Sequence, residues 1–108
     1  MKEMRYIKVK RGILQSVKRA CENEKKISLN LARDFLEDQK KHFFFFLMAE
    51  HLKVCERLLE FVNLYLEAEE GEEITIDSFS LVSLKNKSNI LNKHKDYLCK
   101  YNISTDLH

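Results

Sequence analysis

The sequence predicts an all-α protein, a compact antiparallel bundle of four to five helices in a single domain covering residues 1–108. The chain has no proline and only two glycines, so it lacks the turn residues that a β-sandwich requires. Apolar residues also recur with the 3.6-residue period of an amphipathic helix. The hydrophobic content of 44% argues against disorder.

The centre of the predicted bundle is a long helix at about residues 43–69. Half of its circumference is apolar, which suits a helix that packs against two neighbours. The run Phe43 to Phe46 must expose at least one ring, because four consecutive side chains point all around a helix. A line of apolar residues with spacings of four and three follows the inner face: Met48, Leu52, Cys55, Leu59, Val62 and Leu66.

Two further helices are predicted before the central one. Residues 4–26 carry one apolar helical face, which ends in a polar break at Asn23 to Lys26. Arg5 to Lys10 also alternate as a short strand would, but helix is preferred because the helical face continues through Cys21. The face of the second helix is rotated by about 140° from that of the central helix. We therefore expect a turn near Gln39 to His42, unless the helix stays continuous in a domain-swapped dimer.

The last third of the chain is predicted to contain a connector and two short helices. The connector, residues 67–73, is acidic and includes Gly71, which suits a helix C-cap. Residues 74–84 alternate at first as in a strand, but Asp77 suits an N-cap and a short helix is preferred. A polar stretch then separates this helix from a last one at residues 90–101.

Charge is unevenly distributed along the chain. Residues 1–53 carry 13 Lys and Arg against 7 Asp and Glu, a net charge of +6. Residues 54–108 carry 6 against 10, a net charge of −4. An acidic stretch along the connector is the predicted surface for another protein, in particular a basic one, or for the basic ridge of a second copy in a homodimer. Its members are Glu67, Glu69, Glu70, Glu72, Glu73 and Asp77.

The first predicted helix has a basic ridge opposite its apolar face. The ridge consists of Arg5, Lys8, Arg11, Lys18 and Arg19. Such a row suits contacts with phosphates, so a nucleic-acid-binding helical protein is an alternative function. The ridge has no aromatic residue for base stacking and the chain has no helix-turn-helix signature, so a solvated face is preferred.

Two histidines lie on apolar helical faces, His51 in the central helix and His94 in the last one. Cys55 follows His51 by one turn, so packing of the two helices would bring two imidazoles and a thiol together. These ligand types suit zinc, and a metal-binding bundle around His51, Cys55 and His94 is a further alternative. No known ligand spacing is present, so core histidines with internal hydrogen bonds are preferred and no metal or other cofactor is expected.

The segment HLKVC, which begins at His51, superficially resembles the site of histidine phosphotransfer bundles. In that family one exposed histidine on a four-helix bundle carries the phosphoryl group, so the resemblance implies phosphotransfer at His51. The sequence departs from the family at Val54, where a small residue is usual. The helical wheel also places His51 inside the bundle.

The remaining motifs predict a protein without catalysis of its own. No paired carboxylates lie in an apolar setting, and neither a nucleophile motif nor a glycine-rich phosphate loop is present. The longest apolar run, Phe43 to Ala49, is too short to span a bilayer, and three separated cysteines suit reduced thiols in the cytoplasm. We therefore predict a small cytoplasmic protein-binding module, either an adaptor, a chaperone-like subunit or an inhibitory regulator of the immunity type.

Overall fold

The computed structural model describes residues 5–103 and contains three long helices and a two-stranded sheet. The elements in chain order are β1 (Tyr6–Lys10), α1 (Arg11–Glu37), a 3-10 turn (Gln39–Lys41), α2 (His42–Ala68), β2 (Glu73–Asp77) and α3 (Ser78–Lys100). The prediction of a mostly helical protein is confirmed, since 81% of these residues are helical. The predicted count of four to five helices is wrong. Two pairs of predicted helices are single helices, and two segments predicted as helical are strands.

The polar stretches Asn23 to Lys26 and Asn86 to Asn89 do not interrupt α1 and α3. Neither stretch contains glycine or proline, and glutamate and lysine have good helix propensity. Ser28, inside the continuous helix, is buried and donates its hydroxyl to the carbonyl of Glu24 at 2.8 Å. Apart from Glu24, the buried residues of both helices recur every seven positions: Leu14, Cys21, Ser28 and Phe35 in α1, and Leu84, Leu91 and Leu98 in α3.

The predicted turn between α1 and α2 is confirmed. α1 ends at Glu37, the 3-10 turn covers Gln39–Lys41, and α2 begins at His42. The two helices share the largest interface of the chain and run antiparallel. Each has 27 residues and is therefore about 40 Å long at 1.5 Å per residue.

The two strands form an antiparallel ribbon that joins the beginning of the chain to the connector after α2. Ile7 lies opposite Ile76 and Val9 lies opposite Ile74, and both isoleucines of β2 are fully buried. The preference for helix in these two segments is therefore wrong. Each strand has only five residues, and its partner lies far away in the chain, so helical periodicity in the flanking residues dominated the prediction.

The core lies along the α1–α2 hairpin in two clusters, and the molecule is elongated. One cluster packs the sheet against the helices around Leu14 and Leu58, and the other surrounds Phe35 and Met48 near the turn. The dimensions are 48 × 33 × 18 Å and the radius of gyration is 16.0 Å, above the value of about 13 Å typical of a compact domain this size. The predicted compact bundle is therefore corrected to a flat, three-helix arrangement.

α2 packs against both α1 and α3, as predicted for the central helix. It contributes five buried residues at spacings of three and four: Met48, His51, Cys55, Leu58 and Val62. In the phenylalanine run, Phe44 and Phe45 are half-buried, whereas Phe43 and Phe46 are mainly exposed, as the wheel required. None of the helices in residues 5–103 combines the length and apolar character needed to cross a membrane.

Candidate functional site

A row of polar side chains, here called the histidine network, connects all three helices. His51 of α2 is only 2% exposed and lies between Glu24 of α1 and His94 of α3. Its Nε2 atom is 2.9 Å from Oε2 of Glu24, and its Nδ1 atom is 2.9 Å from Nδ1 of His94. The other carboxylate oxygen of Glu24 forms an ion pair with Lys95 of α3. Every buried side-chain nitrogen or oxygen in the described residues has a hydrogen-bond partner.

The hydrogen-bond partners of the network limit where its protons can lie. The carboxylate of Glu24 accepts a hydrogen bond from Nε2 of His51, so a single proton lies between the Nδ1 atoms of the two histidines. Burial, followed by the neighbouring charge of His51, lowers the pKa of His94, although Glu50 opposes this. Burial alone would raise the pKa of Glu24, but hydrogen bonds from His51 and Lys95 outweigh burial and lower it.

The predicted convergence of the two histidines is present, but Cys55 forms none of these hydrogen bonds. Burial raises the pKa of Cys21 to about 11 and that of Cys55 to about 12, so both are protonated thiols at neutral pH. Within residues 5–103, no group of three or more His, Cys, Asp or Glu side chains is arranged to hold a metal ion. Both ring nitrogens of His51 are engaged, so phosphoryl transfer to His51 would require the network to open.

Sequence reasoning missed Glu24, the acid of the network. It lies in the polar stretch that was read as a break between helices. The signal that places it inside is the seven-residue repeat of α1, because Glu24 follows Cys21 by three positions and precedes Ser28 by four. These are the spacings of neighbours on one helical face.

The acidic connector divides into acids that stabilise the fold and acids that face solvent. Asp77 caps α3 by accepting the backbone N–H of Ser80 at 2.7 Å, and these hydrogen bonds lower its pKa. The carboxylate of Glu69 accepts the backbone N–H of Thr75. Gly71, predicted as the C-cap of α2, lies beyond the helix end at Ala68 and has a positive φ of 103° in the connector. The exposed acids are Glu67, Glu70, Glu72 and Glu73.

The basic ridge is not a single helical face, and that prediction is corrected. Arg5 precedes β1 and Lys8 lies in it, and only Lys18 and Arg19 lie well inside α1. Arg11 is the first residue of α1 and binds the end of α2. Its guanidinium donates to the carbonyls of Gly71 at 2.6 Å and Leu66 at 3.1 Å, and also to that of Glu69.

An exposed apolar groove lies between α2 and α3. Its volume is about 470 Å³. Its apolar lining comes from Val54 on α2 and from Phe79, Val82 and Ile90 on α3, and its charged lining residues are Arg57 and Lys87. The sequence analysis did not predict this groove, because it divided α3 into two helices. In the continuous helix, Phe79, Val82 and Ile90 lie on a different face from the buried line of Leu84, Leu91 and Leu98.

Comparison with protein-family models, with curated proteins and with solved structures returned no match to this chain. No residue role is therefore carried over from a relative. The function is inferred from the contacts and exposed surfaces of the chain itself.

Proposed function

We propose that this protein is a binding module without catalysis of its own, and that the α2/α3 groove receives an amphipathic helix with acidic flanks from a partner protein. The observation that carries the proposal is the exposed apolar face of α3. Phe79 is 56% exposed and Val82 is 55% exposed, and Ile90 continues the same face. Ser83 and Asn86 lie between Val82 and Ile90 in the lining, so the groove is apolar at both ends and polar in between. Exposed apolar residues beside a groove are typical of helix-in-groove recognition.

The dimensions of the groove suit a short helix. The α3 residues that line it extend from Phe79 to Ile90, a rise of about 16 Å along the helix axis. About three turns of a partner helix cover this length and present apolar residues at positions i, i+3 or i+4, and i+7. The histidine network supports recognition because it fixes α3 against the hairpin, so that little ordering is needed on binding.

Charge favours an acidic partner over a second copy of this chain. Arg57 and Lys87 flank the apolar residues, and the described lining includes no Asp or Glu. α3 itself contains five lysines and a single acid, Asp96, so pairing of two α3 helices would bring like charges together. The acidic connector is a weaker basis for binding, because exposed charges contribute little without a desolvated apolar centre.

The proposed module belongs to the adaptor, chaperone-like or inhibitory class of regulators, and its proposed compartment is the cytoplasm. All three cysteines are unpaired, with Cys21 and Cys55 buried and Cys99 exposed. Free thiols of this kind suit a reducing compartment.

The first experiment measures binding of two synthetic helical peptides of about 14 residues by fluorescence anisotropy. Both carry leucine at helical spacing, and the remaining positions are glutamate in one peptide and lysine in the other. We expect the glutamate peptide to bind at least tenfold more tightly than the lysine peptide, a difference of about 1.4 kcal/mol. Equal binding of both peptides, or binding of neither, would contradict the proposed groove function.

Two matched variants locate the binding surface. Val82→Asp places a negative charge in the groove, which repels the glutamate peptide and should reduce its affinity by about tenfold or more. Leu29→Asp introduces the same charge at another exposed apolar position, on α1 and outside the groove, and should leave affinity unchanged. An equal loss in both variants would show that the peptide does not occupy the groove. Concentration-dependent dimerisation abolished by Val82→Asp would identify a second copy as the occupant instead.

A further inference from the structure

We infer that the outer edge of β1 is a second binding site, independent of the α2/α3 groove. It accepts an extended segment of a partner protein in which acidic residues alternate with apolar ones. The added segment would become a third strand of the sheet and would hydrogen-bond to the free backbone groups of Tyr6, Lys8 and Lys10. This mode of recognition is β-strand addition.

The register of the ribbon determines which backbone groups of β1 are free. At one end, the Ser78 N–H donates to the carbonyl of Arg5 at 2.7 Å, and at the other the Arg11 N–H donates to the carbonyl of Glu72 at 2.7 Å. Hydrogen-bonded pairs alternate along an antiparallel ladder, so Ile7 and Val9 also bond to β2. The N–H groups of the intervening residues therefore point away from β2.

These outward groups have no partner within residues 5–103. Neither backbone nor side-chain hydrogen bonds in this part of the chain involve the N–H groups of Tyr6, Lys8 or Lys10. The carbonyls of Tyr6 and Lys8 likewise point away from β2, whereas Lys10 is the N-cap residue of α1. Three donors and two acceptors in a row form a template for another strand.

The opposite edge of the ribbon is covered, which makes β1 the only candidate edge among the described residues. Thr75 is one of the β2 residues whose N–H points away from β1, and its N–H donates to the carboxylate of Glu69. Asp77 ends β2 and caps α3, so the strand cannot be extended there. Strand addition is therefore limited to the β1 side.

The side chains of β1 select the kind of strand that can be added. Tyr6, Lys8 and Lys10 project on one face of the ribbon, and Ile7 and Val9 project on the other. β1 has no acidic residue, so a strand with acids opposite the lysines and apolar residues opposite Ile7 and Val9 complements it. Lysines on an exposed edge commonly prevent self-association, and here they disfavour pairing of two β1 strands while admitting an acidic strand.

The test uses the full chain and a soluble capped peptide of about seven residues that alternates glutamate and valine. Amide hydrogen exchange is followed by NMR in the wild-type protein. We expect the peptide to slow exchange at the Tyr6, Lys8 and Lys10 amides by at least tenfold, whereas the amides of Ile7 and Val9 are already protected by β2. Unchanged exchange at the three outward amides would overturn the proposal.

Two variants at one position separate strand addition from charge attraction. Lys8→Pro removes an N–H that points away from β2, so it should leave the β1–β2 ladder intact. It should reduce the affinity for the peptide by at least tenfold. Lys8→Gln keeps the N–H and removes the charge, so it should weaken the peptide by only a few-fold. Equal losses in the two variants would overturn strand addition. The exchange measurement on the wild type remains decisive if Lys8→Pro does not fold, and peptide-independent dimers that Lys8→Pro abolishes would identify a second copy instead.

Discussion

At the scale of single residues, the histidine network shows how polar groups occupy the core of a small helical protein. Glu24 is stable there as a carboxylate because His51 and Lys95 both donate to it. A buried pair of this kind adds little net stability compared with an apolar replacement, but loss of one member leaves its partner unsatisfied. We therefore expect the network to determine how α3 docks on the hairpin more than how strongly the chain folds.

Glu24→Gln tests whether loss of the carboxylate leaves His51 or Lys95 unsatisfied. The substitution keeps the shape of the side chain but directs its amide group at a donor, either His51 or Lys95. We expect a loss of about 1–2 kcal/mol in the free energy of unfolding, measured by urea denaturation near neutral pH. Glu22→Gln is the matched control, since Glu22 is exposed on the same helix and should change stability by less than about 0.5 kcal/mol. Equal effects of the two substitutions would contradict a stabilising role for the carboxylate.

At the scale of secondary-structure elements, the sequence predicts what depends on local periodicity and misses what depends on distant partners. The turn near residues 39–41 was predictable because the apolar faces on either side point in different directions. The inward positions of His51 and His94 were predictable because each histidine lies on the apolar face of its helix. β1 and β2 were not predictable, because each strand is stabilised by the other and the whole α1–α2 hairpin separates them in the sequence. The groove was missed because polarity at Asn86 to Asn89 was taken as a helix end.

Arg11 carries the contact between the start of α1 and the end of α2. Its planar guanidinium donates to three carbonyls that α2 and the connector would otherwise leave free. We expect Arg11→Gln to reduce the free energy of unfolding by about 1–2 kcal/mol, because hydrogen bonds from a charged donor are lost at a helix C-terminus.

Arg11→Lys separates the geometry of this contact from its charge. Lysine keeps the positive charge but cannot reproduce the fork of donors, so an intermediate loss of stability is expected. Arg19→Gln is the control, because Arg19 is exposed on the same helix. Thermal unfolding followed by circular dichroism gives the comparison. If Arg11→Gln and Arg19→Gln unfolded alike, the capping role of Arg11 would be wrong.

At the scale of the whole molecule, α3 has only a small contact with the α1–α2 hairpin. The contact between α1 and α2 is much more extensive than that between α2 and α3. Two sets of polar contacts attach α3: the histidine network, and the hydroxyl of Tyr65 on α2, which forms hydrogen bonds with Asp77 and Ser80 at the start of α3. A cleft of about 160 Å³ beside the network is lined by Cys21, Glu24 and Lys95 among others. We therefore expect the position of α3, and with it the shape of the groove, to depend on the ionisation of this network.

Acid should weaken the fold in two steps. The pKa of His94 in the folded state lies below its ordinary value of 6.5. Below about pH 6.5 the unfolded chain therefore binds the proton more readily, and the free energy of unfolding decreases as the pH is lowered. The folded pKa of Glu24 is also lowered from 4.5, so its contribution is present above that pH and is lost on further acidification. Urea denaturation across a pH series should show both losses.

His94→Asn assigns the first step to its residue. The side-chain amide of asparagine can reach the position of Nδ1 and can either donate to or accept from Nδ1 of His51, but it does not titrate. We expect the stability of this variant to change less than that of the wild type between about pH 6.5 and 5, while the loss attributed to Glu24 at lower pH remains. A variant with the same pH dependence as the wild type, or a wild type that gains stability in this range, would contradict the assignment. Since the charge of Glu50 opposes the lowering of the His94 pKa, Glu50→Gln should lower that pKa further and steepen the first step.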